Sequence, residues 1–119
     1  MSEIYYSKAV NEALDEELAR DPNVIMIGED IGCYGGAFGV SKGLWEKYGP
    51  ERLWETPISE GSITGIAIGA AMMGLKPVLE IMFMDFVALA LDQMMNSAGK
   101  LHYISWPTSP CPASSTPTR

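Results

Sequence analysis

Histidine and cysteine are nearly absent from this chain. There is one histidine, His102, and two cysteines, Cys33 and Cys111, in 119 residues. The cysteines are far apart and form no C-x-x-C pair, so the sequence offers neither a zinc constellation nor a disulfide framework. Positive charge is also scarce: 8 Lys and Arg stand against 15 Asp and Glu, a net charge of −7. That balance repels phosphate-rich surfaces and excludes nucleic acid and anionic membrane as expected partners. No apolar run is long enough to cross a bilayer, since the richest stretch, Ile63 to Leu75, is short and interrupted by glycine. The first residues carry no basic segment followed by an apolar core, so no secretory leader is expected and a reducing cytoplasm is the expected location.

What is present suits one globular domain at most: 47% hydrophobic and 19% charged residues. Val10, Ala13, Leu14 and Leu18 recur at helical spacing behind Ser7, a candidate cap, and Asp21-Pro22-Asn23 stops that helix. Val24-Ile25-Met26-Ile27 is a continuous apolar run, the mark of a strand covered on both faces. A short helix is expected over Gly43 to Lys47, a strand over Arg52 to Thr56, and a helix from Ser59 to a stop at Gly74. Gly65 and Gly69 each cost that helix roughly 1 kcal/mol of propensity, which points to close approach of another helix. Val78 to Met82 reads as a third strand, followed by a helix presenting Phe86, Leu89, Ala90, Gln93, Met94, Ser97 and Leu101 along one side. This alternation predicts an α/β fold with an open, mostly parallel sheet and flanking helices.

In such folds ligands bind beyond the carboxyl ends of the strands. Glu29-Asp30, Glu60 and Asp85 fall there. An acidic residue in these places can serve chemistry, or simply complement a helix N-terminus. The glycine-rich loop Gly32 to Gly39 matches neither a dinucleotide fingerprint nor a P-loop. It reads either as a flexible connector or as a loop that touches a ligand. Phe86 likewise reads as core or as a ligand contact.

Five motifs in order carry a resemblance: Gly28-Glu29-Asp30; Gly43-Leu44 through Tyr48-Gly49; Thr56-Pro57-Ile58-Ser59-Glu60; Gly65 through Gly74-Leu75-Lys76-Pro77; and Asp92-Gln93 with Asn96. Over residues 4 to 105 the chain resembles the N-terminal part of the E1 β-subunits of pyruvate, acetoin and branched-chain 2-oxoacid dehydrogenases. The resemblance implies a partial transketolase-like pyrimidine-binding domain, of the thiamine-diphosphate-binding fold. It implies that Glu60 meets N1′ of the aminopyrimidine of thiamine diphosphate, with Ile58 on the same turn, Phe86 stacked on the ring and Met82 lining the pocket. A carboxyl is needed at that place because it can share a proton with the ring nitrogen, which an amide cannot exchange. The resemblance further implies an E1 α-subunit partner that carries Mg²⁺ and the diphosphate ligands, with no metal site on this chain. An α2β2 assembly with close helix contact at Gly65 and Gly69, and a lipoyl-bearing E2 in the full complex, complete the expectation. The implied activity is that of an acetyl-transferring pyruvate dehydrogenase or an acetoin enzyme.

After Tyr103 this chain departs from the family pattern. Ser105 to Arg119 carries four prolines and no apolar periodicity, where the family continues with a Ser-Gly-Gly turn. Trp106 and Pro107 require TGG followed by CC, and one base along this reads GGC, a glycine codon. Residues 106–119 are therefore expected to be a disordered, out-of-frame tail on a truncated domain, and the chain alone is expected to be inactive. A transketolase or deoxyxylulose-phosphate-synthase fragment shares the fold and the activating Glu. A non-catalytic module that only packs on an α-subunit is the other alternative.

Overall fold

The structure is a computed structural model and describes residues 4–104. The expected tail, 106–119, lies outside the described residues. Helix α1 (Tyr6–Arg20) leads into β1 (Val24–Glu29), then α2 (Leu44–Tyr48), β2 (Leu53–Thr56), α3 (Glu60–Met72) and β3 (Lys76–Leu79). A 3₁₀ turn (Met84–Phe86), α4 (Val87–Asp92), a π-helical turn (Gln93–Ala98) and α5 (Gly99–Ile104) close the described chain. The three strands form one sheet in the order β2-β1-β3, and both pairings are parallel. The expected α/β class, an open parallel sheet with flanking helices, is the observed one.

The continuous apolar run became the central strand, and every residue of β1 is buried. Alternate side chains go to opposite faces, as the pleat requires. Val24 and Met26 join Leu18, Ile31, Leu44 and Leu53 in a core beneath α1 and α2. Ile25 and Ile27 pack with Ile63 and Ala67 of α3 on the other face. The Arg52 guanidinium ties the α1–β1 turn to this sheet by donating to Val24 O (2.7 Å), Leu18 O (3.0 Å) and Asp21 O (2.8 Å). A planar fork with several donors suits a turn that leaves several carbonyls unmet.

Three expectations need correction. Ser7 does not cap α1, which begins at Tyr6 with Tyr5 at the capping position and no side-chain bond there. β3 starts two residues earlier than the apolar pattern suggested and ends at Leu79. Pro77 is tolerated because β3 is an edge strand, paired with β1 alone. The chain leaves the sheet at Glu80, whose N–H still donates to Ile27 O at 2.9 Å. The last helix is not uniform either: Phe86 ends a 3₁₀ turn before α4, and a π-helical turn interrupts the rest.

The small-residue face of α3 is used inside this chain. A Cβ on Gly61 would stand 3.2 Å from Leu89 O, and one on Gly65 would stand 3.5 Å from Gln93 Oε1. A Cβ on Gly69 would meet nothing within 4 Å. Of the expected pair, Gly65 makes only an ordinary contact with the Gln93 side chain and Gly69 makes none, so the close approach within this chain falls at Gly61, against α4. Among the described residues, no helix is long and apolar enough to cross a membrane.

Candidate functional site

The site is built where β1 and β2 end side by side. Glu29 is the last residue of β1 and lies in register with Thr56, the last of β2. Thr56 Oγ1 donates to Gly28 O at 3.3 Å. Pro57 then turns the chain away, and α3 begins at Glu60. The intervening turn is held from β1: the backbone N–H of Ser59 donates to Glu29 Oε1 at 2.9 Å. Ser59 is the capping residue of α3, yet its hydroxyl donates back to Pro57 O at 3.0 Å and caps nothing. Glu29, 5% exposed, thus fixes the entry to α3 from a neighbouring strand.

Glu60 follows directly and is 6% exposed. Its position in the first turn of α3 puts a carboxyl at the positive end of the helix dipole. Thr64 Oγ1 donates to Glu60 O at 2.6 Å and knits that turn together. None of the ion pairs among the described residues involves Glu60. Ile58, on the outside of the turn, is 76% exposed.

Phe86, 42% exposed, stands on the facing element. The contact between Gly61 and Leu89 places the start of α3 against α4, one turn beyond Phe86. Met82 is half-buried in the link between β3 and the 3₁₀ turn. Glu60 therefore opens a helix that packs on α4, and Phe86 ends the 3₁₀ turn leading into α4, with Ile58 and Met82 on the segments that precede them. Asp85 is exposed, and Asp30 adopts a left-handed conformation with φ 55. Among the described residues no group of three or more His, Cys, Asp or Glu side chains could hold a metal ion.

Sequence reasoning missed three features. The Glu29–Ser59 bond joins residues thirty positions apart, and no local pattern announces it. Phe38, from the glycine-rich loop, meets Phe83 edge-on at 5.6 Å, and Phe83 meets Phe86 edge-on at 5.8 Å. These geometries are favourable for aromatic pairs. The loop is thereby tied to Phe86. Its far end is pinned as well, because Asn11 Nδ2 donates to Val40 O (2.8 Å) and Lys42 O (3.1 Å). The third feature is Glu80, just past β3, whose carboxyl is pushed above the usual glutamate range by burial. The sequence carried no signal for it, because Glu80 falls in the middle of the expected strand Val78 to Met82 and only the structure ends β3 at Leu79.

Two apolar clefts, of about 360 and 200 Å³, flank β3, and neither is lined by Glu60, Ile58, Met82 or Phe86. Exposed Ile58 and partly exposed Phe86 make the candidate site an open face at the end of the sheet.

The model of the transketolase pyrimidine-binding domain matches residues 2–114. The chain belongs to this family. As a transketolase-type pyrimidine-binding domain it is also similar to curated E1 β-subunits over most of its length. It is 55% identical to the pyruvate dehydrogenase E1 component subunit beta of Chaetosphaeridium globosum, over 88% of this chain and 32% of that protein. Identity to the mitochondrial subunit of Ascaris suum is 53%, over 82% and 27% respectively. With the mitochondrial human subunit it is 50%, over 87% and 29%. The chain thus spans about a third of the length of the relatives it matches.

Proposed function

We propose that this pyrimidine-binding domain supplies one half of a thiamine diphosphate site in a two-chain 2-oxoacid dehydrogenase, of pyruvate or acetoin type. The observation that carries this reading is Glu60. It is a buried carboxyl without an ion-pair partner among the described residues. It opens a helix at the end of a parallel sheet, and that helix packs on α4, which a partly exposed phenylalanine immediately precedes. That donor set fits an aminopyrimidine: one carboxyl for a ring nitrogen, one aromatic face for stacking, and apolar Ile58 and Met82 around them.

In this reading Glu60 holds and returns a proton at N1′, Phe86 stacks on the ring, and Ile58 and Met82 keep water from its edge. Bound thiamine diphosphate would supply the nucleophilic carbon and the electron sink for decarboxylating the 2-oxoacid. Glu29 orients Glu60 through the Ser59 turn. The open face calls for a second protein, an E1 α-subunit, which would bring the diphosphate and Mg²⁺ ligands. An α2β2 assembly serving a lipoyl-bearing E2, in a reducing cytoplasm, follows from the same reading.

The test uses this chain co-expressed with an E1 α-subunit, and follows exchange of the cofactor's C2 proton in deuterated water. Glu60→Gln should slow that exchange at least 100-fold, since general acid–base catalysis contributes roughly that much or more. Unchanged exchange in the variant refutes the role. Binding of α with no ordering of the cofactor would favour a module that only packs on α. Turnover by the purified chain alone would refute the two-chain reading.

A further inference from the structure

The glycine-rich loop closes on an unsatisfied polar pair. Ser41 is fully buried, and its hydroxyl has no hydrogen-bond partner in the protein. Oε2 of Glu80 is also buried without a partner. The two residues come from different segments, one from the end of the loop and one from just past β3. They converge on the bare side of Gly36. A Cβ built there would stand 3.1 Å from Ser41 Oγ and 3.3 Å from Glu80 Oε1. Gly36 has φ +80, a conformation that also favours glycine. The same Glu80 passes over Gly28, where a Cβ would stand 3.0 Å from Glu80 Cβ. Glycine on both sides of Glu80 is what allows its carboxyl to lie under the loop.

Orphaned polar atoms of this kind are costly, and natural proteins rarely leave them unpaired. A buried hydroxyl and a buried carboxyl that approach one glycine from two separate segments provide two of the polar partners that a buried water needs.

We propose that Ser41 and Glu80 form a small polar site beneath Gly36 that holds one water molecule and locks the glycine-rich loop to the end of β3, which makes Glu80 a positioning residue for the aromatic row Phe38–Phe83–Phe86. The loop's position reaches Phe86 through the two edge-on ring contacts. Only the consequence for cofactor stacking rests on the function proposed above; the water site does not.

The full 119-residue chain, without cofactor, is the test material. Nuclear magnetic resonance should show magnetisation transfer from a bound water to the Gly36 or Ser41 amide in the parent chain, and its absence overturns the proposal. Amide exchange is the second measurement. The loop amides of Gly35, Gly36 and Ser41 are bonded to Gly32 O, Asp30 O and Gly35 O. Ser41→Ala and Glu80→Ala should each speed their exchange about tenfold, the value of one hydrogen bond near the upper end of its usual net worth. The amides of β1 should not change, and the Phe86 ring resonances should shift. Glu80→Gln keeps a polar end for the water and should retain the parent loop exchange. An unpartnered hydroxyl gives the opposite result: Ser41→Ala would leave loop exchange unchanged or slower. Equal acceleration in β1 would signal general loosening and also count against the site. Because no cofactor is involved, these outcomes are independent of the Glu60→Gln experiment.

Discussion

Replacing Glu29 by alanine tests how the entry to α3 is held. The perturbation removes the acceptor of the 2.9 Å bond from the Ser59 N–H, at a position 5% exposed. Water cannot easily replace the lost partner there. A hydrogen bond to a charged group is worth about 1.5–3 kcal/mol. Removal of a helix cap costs about 1 kcal/mol, and the Ser59 hydroxyl, engaged with Pro57 O, is not positioned to take over. Deleting the buried carboxylate also relieves part of its desolvation cost, so the lower half of the range applies. Glu29→Ala should therefore lose about 2 kcal/mol. For a domain of this size that corresponds to a fall in Tm of roughly 8–16 °C. Glu29→Gln keeps a carbonyl acceptor and should lose less than about 1 kcal/mol. Urea unfolding followed by tryptophan fluorescence measures both values, and amide exchange at Ser59 localises the effect. A Glu29→Ala chain within about 0.5 kcal/mol of the parent, the scatter of ordinary surface changes, with Ser59 still protected, would refute this account.

Glu80 carries a pH signature. Burial raises its carboxyl above the ordinary value of 4.5, so the folded chain holds this proton more tightly than the unfolded one. Its contribution to stability is complete below about pH 4.5 and is lost as pH rises through the folded value. Glu80→Gln should therefore gain on the parent as pH rises from acid to neutral, and parallel unfolding curves across that range would contradict the burial of the carboxyl. On α3, Gly69→Ala meets nothing within 4 Å and should stabilise by about 1 kcal/mol through helix propensity. Gly61→Ala places its methyl 3.2 Å from Leu89 O and should forfeit that gain; equal stabilisation by both in thermal unfolding would show that α4 does not press on Gly61.

Much of the architecture was legible because local rules and tertiary needs agree. The unbroken run Val24 to Ile27 announced a strand buried on both faces, and it is the centre of the sheet. Pro57 and the small-residue pattern marked where β2 ends and α3 begins. The start of β3 was misjudged because Lys76-Pro77 reads as a break before the apolar run Val78 to Met82, whereas pairing with β1 decides where an edge strand begins. Phe86 was placed on a helix by its spacing. The 3₁₀ turn that carries it is set by the exit from β3 and the packing of α4 on α3.

The sequence by itself determined the class of fold, the family, and the candidate carboxyl Glu60, since apolar period, turn residues and the TPISE run are all local and written in order. Only the tertiary structure decided what surrounds that carboxyl. Glu29 reaches Ser59, Phe38 reaches Phe83, and Ser41 and Glu80 converge on Gly36 across the ends of strands and loops distant in the chain. Hydrogen bonds and ring contacts act over a few ångströms in space, and a parallel sheet brings residues about thirty positions apart into that range.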